Sequence, residues 1–320
     1  MPAVTGDSAS WLSEQAARRL AAIDPLLAAP PVPAGCGAEL AVTGPDGSVA
    51  ALGTCEHWAG EPESLELTWG AARRFQLTPQ IAGPDVAAAL DELLARWRGH
   101  LAAVPEAAQE DTAVVLTWPT RDADGPRTLL RHGLAPRAVI AARAAGRRSP
   151  AAAPLDPGVR IRRAGPADLD AVVRLGMETI RYDAHFGTVI ERPETPAALR
   201  HEAAQVLAAP DPWVWLAERE GDPFGLLYAE RPEFAGWIAP MVRAEPVAYV
   251  ELMDVLPGER GSGVAGALVA QLHQAADDSG VAVTLLHYEQ VNPLSGPFWS
   301  QQGYRPLWTT WEARPASTLR

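Results

Sequence analysis

The stretch Asp254-Val-Leu-Pro-Gly-Glu-Arg260-Gly261-Ser262-Gly263-Val264-Ala265 decides how the rest of the chain is read. Before it lies VAYVELMDV (247–255), an apolar run of strand length. After it lies VAGALVAQLHQAADDSG (264–280), helical in period and closed by Gly280. A strand therefore enters a glycine-rich turn and leaves directly as a helix. Glycines let the main chain approach an anion closely. The first N–H groups of a helix have no internal partners and can donate to phosphate oxygens. Arg260 adds a permanent positive charge at the entrance. The same glycines taken alone also suit a plain tight turn.

Working outward, VAVTLLHY (281–288) has almost no polar interruption, as expected of a buried central strand. PLSGPFWSQQG predicts a short helix ending at Gly303, and YRPLWTTWEA (304–313) a last strand. Upstream, VRIRRA (159–164) is a strand. Pro166 opens a helix to about Arg181, with Leu169, Val172, Val173 and Ile180 at helical spacing. ETPAALRHEAAQVLA (194–208) is a second helix, and 213–230 a hairpin turning at Gly221-Asp222. The order β-α-α-β-β-β-α-β-α-β predicts a mixed sheet of the α/β (α+β) class.

A second block, Asn292-Pro-Leu-Ser295-Gly-Pro-Phe298-Trp299-Ser-Gln-Gln-Gly303-Tyr304, follows at a fixed distance. Together the two blocks resemble the GCN5-related N-acetyltransferases (GNAT). Arg260, Gly263 and Ala265 stand at the defining positions of that family's Arg/Gln-x-x-Gly-x-Gly/Ala motif, and the second block is similar to its Asn-x-x-Ala-x-x-Phe-Tyr-x-x-x-Gly-Phe/Tyr segment. The resemblance covers 159–313. It implies an acetyl-CoA-dependent acyltransferase without a metal, in which two central strands, here 247–255 and 281–288, splay apart. It implies cofactor contacts from main-chain groups of Met253 and Val255, from the N–H groups of Arg260, Gly261, Ser262, Gly263, Val264, Ala265 and Gly266, and from Asn292 and Phe298. Gly263→Glu is expected to remove cofactor binding with little loss of folding.

Direct acyl transfer needs a deprotonated amine, a stabilised oxyanion and a proton for the departing thiolate. Glu251 is the candidate base, near where many family members carry a glutamate. Pairing of Glu251 with an arginine is the competing reading. Asp254 is a second carboxylate on this strand, but simple alternation turns it to the opposite face. The expected oxyanion donor is the N–H of Val255. Trp299 stands where many family members place a tyrosine acid, and indole cannot protonate a thiolate. Tyr288 is the first alternative acid, with His287, Ser295 and unassisted departure of the thiolate behind it. The segment Arg181-Tyr182-Asp183-Ala-His185-Phe186-Gly reads as a loop over the acceptor, with Tyr182, Asp183, His185 and Phe186 as candidate contacts. Tyr228 and Glu230 on the hairpin are expected to face the same cleft, and Asp183, Glu230 and Glu251 suit a cationic amine. Trp213, Trp215, Trp308 and Trp311 are assigned to the core or an interface.

AAGRRSPAAAPLDPG (144–158), rich in Ala and Pro, reads as a linker between 1–143 and 159–320. The halves look like distant copies. Gly133/Gly303, Pro136/Pro306 and Asp122/Asn292 each stand 170 residues apart. The expectation is two GNAT-like domains, each a mostly antiparallel sheet flanked by helices with a splayed central pair. The first is expected to be degenerate and to shape the acceptor cleft. AVTGPDGSVAAL (41–52) predicts a hairpin through Pro45-Asp46-Gly47, SEQAARRLAAIDPLL (13–27) a helix, and ESLELTW (63–69) the central strand of this copy, which lacks both the motif and a first strand.

The 320 residues, 48% apolar and 21% charged, suit two globular domains and argue against disorder. All 27 basic residues are Arg, so no lysine is available for Schiff-base chemistry. The net charge of −12 and the lack of a basic run argue against nucleic acid as partner. Residues 156–320 carry 14 Arg against 22 acidic residues, which favours cationic substrates. Cys36 and Cys55 have no metal-type spacing and are read as buried thiols. No apolar run is long enough for a membrane span, and MPAVTGDSASW lacks the features of a secretory signal. These readings predict a cytoplasmic enzyme, monomer or homodimer, acting on a small-molecule or peptide amine, with a CoA-binding protein without turnover as the alternative.

Overall fold

The structure is a computed structural model that describes residues 6–29, 38–44, 47–147 and 154–320. Cys36, Pro45 and Asp46 lie outside the described residues. The N-terminal half runs α1 (Gly6–Ile23), β1 (Ala38–Thr43), β2 (Val49–Ala59), β3 (Arg73–Ile81), α2 (Val86–Leu101), β4 (Thr112–Pro119), α3 (Pro126–Arg131) and β5 (Ala135–Ala144). The C-terminal half runs β6 (Val159–Arg163), α4 (Leu169–Ala184), α5 (Thr195–Ala208), β7 (Val214–Arg219), β8 (Asp222–Glu230), β9 (Val247–Val255), α6 (Val264–Asp278), β10 (Val283–Glu289), α7 (Ser295–Gln301) and β11 (Arg305–Ala313).

Among the described residues eleven strands form one sheet, in the order β1-β2-β3-β4-β11-β5-β10-β9-β8-β7-β6. Pairing is antiparallel except for β3 with β4 and β9 with β10. These two parallel pairs correspond between the halves, and each is short. Val247–Val250 pair with Val283–Leu286, after which β9 and β10 separate. Arg73–Gln76 pair with Thr112–Val115, after which β3 and β4 separate. Each half therefore carries one splayed pair of central strands.

The last strand of each half lies beside the next-to-last strand of the other. β5 pairs with β10, and β11 pairs with β4. β5 and β11 also pair with each other at the centre of the sheet and so join the two halves. The side chains follow: Trp311 and Ala313 of β11 pack into the N-terminal core, while Val139 and Ala141 of β5 pack into the core beneath α6. The division of the chain at 144–158 thus does not divide the molecule in space. Trp213, Trp215, Trp308 and Trp311 are all buried, as their strand positions predict.

The predicted central strand at 63–69 is replaced by a 3-10 turn, Leu65–Trp69, and β3 takes that place in the sheet. Leu65 belongs to the core beneath α4 and α5, and the Thr68 hydroxyl meets that of Thr195 at 3.0 Å. Arg192 clamps the same turn, donating to the carbonyls of Leu67 and Gly70 and to Asp111. This docking against the other half outweighs the strand-like alternation of the segment.

α1 lies across the splayed β3/β4 pair. Ser13 donates to Gln80 at 2.8 Å, Arg19 pairs with Asp122, and Leu12 and Leu20 are buried. The gap left there is about 30 Å³, lined by α1 and by Pro79, Ile81, Trp118 and Trp308. The corresponding opening between β9 and β10 is about 520 Å³. A buried carboxylate at Asp24, just after α1, receives Arg305 of β11 and so ties the helix to the exchanged strand.

Because β11 belongs to the C-terminal half but completes the N-terminal core, Trp311→Ala should unfold the whole chain more easily rather than one half. The expected loss is about 3–5 kcal/mol in a single transition by urea denaturation. Two separate transitions would show that the halves fold independently.

Candidate active site

β9 enters the site with an irregularity that the sequence does not announce. Tyr228 pairs with Leu252 and Ala229 with Val250, so Glu251 is the extra residue of a β-bulge. The bulge resets the alternation. Glu251 lies with Glu202 of α5 and Glu230 of β8, and Asp254 lies with Glu178 of α4, on one and the same face of the sheet. The expectation that Asp254 turns away from Glu251 is therefore corrected.

Beyond Val255 the chain makes a 3-10 turn, Pro257–Glu259, and reaches α6 through Gly261 (φ +81°) and Gly263 (φ +85°). Left-handed φ values at both positions explain the two glycines. The N-terminus of α6 has no side-chain cap and no acidic residue in its first turn. Its first N–H groups thus remain available to an anion, and the helix dipole favours one there. Glu259, the acid closest to this end, is held by Arg219. Arg260 does not extend toward this anion position. Its Nε donates to the Val255 carbonyl at 2.9 Å, its Nη2 lies 3.6 Å from Asp254, and its guanidinium stands 5.0 Å over the Tyr182 ring.

The cleft between β9 and β10 gathers most of the residues singled out from the sequence. Tyr182, Asp183, Glu251, Met253, Val255, Arg260, Gly261, Ser262, Gly263, Val264, Ala265, Gly266, Tyr288, Asn292 and Phe298 all line it. Four do not. Tyr228 is buried and hydrogen-bonded to Glu202, and Glu230 is engaged by the Trp237 indole N–H at 2.9 Å. His185 turns its Nδ1 to the carbonyls of Arg181 and Tyr182, and Phe186 sits edge-on against Tyr182. Tyr182 and Asp183 belong to the last turn of α4 rather than to a loop, because the helix continues through Ala184.

Several groups expected to contact a cofactor already have partners. Asn292 is buried, accepts from the N–H groups of Leu294 and Ser295, and donates to Asp183 at 3.0 Å. It shapes the start of α7 and fixes Asp183. Val255 offers its carbonyl to Arg260, and its N–H faces the Asp254 carboxyl. Trp299 packs edge-on between Phe298 and Tyr304, within the core beneath α6. The Tyr288 ring stands about 3.5 Å from where a Cβ on Gly296 would lie, an ordinary packing distance.

The cleft is acidic, and burial perturbs its acids. Glu251 is driven well above the usual carboxyl range, first by burial and then by Glu202 and Glu230. Burial pushes Asp183 and Asp254 each up to about 6, against the opposing pull of Asn292 and Arg260 respectively. Glu289 rises to about 7 by burial. Burial lowers His287 to about 4, so its imidazole is neutral near pH 7. Glu202, Tyr249 and Trp237 were not foreseen as neighbours of the site. The packing of α5 brings Glu202 there and the 231–246 segment brings Trp237, while Tyr249 stands on β9 itself. Among the described residues no group of three or more His, Cys, Asp and Glu is arranged to hold a metal ion. No helix among them is long and apolar enough to cross a membrane. Cys55 is free and buried, its thiol pushed up to about 12 by burial.

Residues 177–304 match the sequence model of the "Acetyltransferase (GNAT) family", and the chain carries a GNAT acetyltransferase domain there. A GCN5-related N-acetyltransferase from Sphaerobacter thermophilus shares the fold at TM-score 0.55 and 16% identity, over 87% of this chain and 80% of its own. A tandem GNAT protein from the clavulanic acid biosynthesis pathway aligns over 98% of this chain and 97% of its own, at 16% identity and TM-score 0.44. A GCN5-related N-acetyltransferase from Kribbella flavida aligns over 94% of both chains, again at 16% identity and TM-score 0.44. No curated protein sequence matches the chain.

Glu289 supplies a test of the buried acids. Its raised value means that the folded chain holds the proton more tightly than the unfolded chain. Its favourable contribution is complete below the ordinary glutamate value and is lost as pH rises through about 7. Glu289→Gln should therefore stabilise the protein by roughly 1–3 kcal/mol at pH 8 and by much less at pH 4, as read by urea unfolding at both values.

Proposed function

We propose that the chain is an acetyl-CoA-dependent N-acetyltransferase acting on a cationic primary amine, with turnover in the C-terminal half. One observation carries the reading: an uncapped helix N-terminus, reached through two left-handed glycines, opens onto splayed strands beside a carboxylate placed by a bulge. The donor set fits the cofactor. The N–H groups from Gly261 to Gly266 suit the pyrophosphate, and Met253 and Val255 face the splay where pantetheine would run. Phe298 supplies apolar wall. Arg260 has to leave the Val255 carbonyl to admit it. The bound cofactor supplies an activated acetyl thioester.

Glu251 then acts on the acceptor. An amine arrives protonated, and a carboxylate with a raised pKa is a better base for it than an ordinary glutamate. Glu251 takes the ammonium proton, directly or through water, and the freed nitrogen attacks the carbonyl carbon. The C–N bond forms, the C–S bond breaks, and the thiol leaves with one proton. Of the two phenols on the cleft wall, Tyr182 lies under the Arg260 guanidinium, and Tyr288 is the candidate acid, kept protonated and able to donate by burial. His287 is neutral and not an effective acid. Asp183 and Glu251 on the cleft wall, with Glu230 and Glu202 behind them, suit the positive charge of the acceptor. In the N-terminal half the described residues leave a gap of only about 30 Å³ at the corresponding place, and this half serves as scaffold.

Three measurements test this. Calorimetric titration with acetyl-CoA should give one site per chain, and a panel of primary amines should release thiol from it. Binding without release on any amine would favour the non-catalytic CoA-binding reading, which the packed Trp299 motivates. Gly266→Glu is the cleaner block of the anion position than Gly263→Glu. Gly263 has a positive φ that would strain any side chain, whereas a Cβ at Gly266 meets only the Gln302 amide at 3.8 Å. The Gly266→Glu variant should keep its melting temperature and lose acetyl-CoA affinity by at least about tenfold, since a carboxylate there opposes the phosphate charge. Glu251→Gln should retain acetyl-CoA binding and lower turnover by roughly 10²–10⁴-fold, with loss of the acidic limb of the pH profile.

A further inference from the structure

Three rings meet beside the splay of β9 and β10, and acetyl transfer as set out above uses none of them. The Tyr249 hydroxyl lies 2.9 Å from His287 Nδ1. Trp237 stands edge-on to Tyr249 at 4.8 Å and lies nearly parallel to the imidazole, 11° apart with centroids at 6.2 Å. The indole N–H of Trp237 is spent on Glu230, so it does not compete for the imidazole. Tyr249 is buried, and His287 lines the cleft.

The direction of the Tyr249–His287 bond follows from what each group can do. Burial holds the phenol protonated, since its pKa is raised well above the ordinary tyrosine value. A buried O–H must donate to something, and the ring nitrogen is the side-chain partner within reach. The main-chain N–H of His287 also faces the phenol oxygen and occupies its acceptor side. Nδ1 therefore accepts. A neutral imidazole with an accepting Nδ1 carries its proton on Nε2. The strand N–H of Val255, expected to stabilise an oxyanion, is turned to Asp254. The cleft thus needs a donor elsewhere.

We propose that Tyr249 is a positioning residue that locks His287 as its Nε2–H tautomer, so that this N–H donates to the thioester carbonyl oxygen as it becomes an oxyanion. A neutral imidazole N–H is too weak an acid to give up its proton here, so the step is hydrogen bonding alone. The proton on the departing thiol comes from elsewhere. The proposal rests on the acetyl transfer inferred above.

Two independent readouts test it on the full chain. Two-bond ¹H–¹⁵N imidazole spectra, with His287→Gln assigning the signal among the seven histidines, report the tautomer directly. The parent should show a neutral Nε2–H ring at pH 7, and Tyr249→Phe should shift it toward Nδ1–H. An Nδ1–H ring in the parent, or an unchanged tautomer in Tyr249→Phe, overturns the lock. The second readout is thiol release from acetyl-CoA with the best amine of the panel. His287→Leu should lose about 10²–10³-fold in kcat with little change in acetyl-CoA affinity, while His287→Gln, which keeps an N–H, should be within about tenfold of the parent. Equal losses in Leu and Gln overturn the donor role. Absence of thiol release in the parent would instead remove the acetyl-transfer reading, and with it the donor role, while the tautomer is still read.

Discussion

Beyond Val250 the main chain of β9 has a hydrogen-bonding neighbour on one side only. β8 continues to pair with it as far as Val255, but β10 has turned away after Leu286. Main-chain groups facing the gap then lack strand partners, and such groups away from water are costly unless something else pairs with them. In this chain the side chains of Asp254 and Arg260 meet those of Val255. A ligand with amides of its own is the natural replacement. The phosphate-type loop, the bulge at Glu251 and the acidic cleft wall are all arranged around this one parting of strands.

The N-terminal half shows what happens when the same parting is not kept open. β3 and β4 separate as β9 and β10 do, but α1 lies across them and its side chains take the polar groups. Asp122, at the position matching Asn292, pairs with Arg19 of that helix rather than shaping a cleft. The two halves are nevertheless interdependent. β5 and β11 each complete the other half's sheet, so rigidity at the cleft draws on both cores. The wall of the cleft formed by β10 is backed by β5, a strand of the N-terminal half.

Much of this was legible in the sequence because it is local. The left-handed conformations at Gly261 and Gly263, the uncapped start of α6 and the apolar run of β10 each depend on a few neighbouring residues. The hairpin at 213–230 and the order of elements follow from turn residues and periodicity. Where the reading failed, a distant contact intervened. Leu65–Trp69 has the alternation of a strand but docks on α5. Asp254 has the wrong parity for the cleft until a bulge shifts it. Tyr228 and Glu230 are near the site but turned to Glu202 and Trp237, which packing of other segments delivers.

The sequence by itself determined that a strand, a glycine loop and a helix meet at one junction, with a similar order of elements ahead of it. Helix periods, φ > 0 positions and strand lengths are short-range properties, and they carry that much. Only the tertiary structure decided which carboxylates share a face, which main-chain groups are already paired, how Tyr249 sets the protons of His287, and that the two halves exchange their last strands. These depend on register between strands far apart in the chain, where a shift of one residue reverses every side chain.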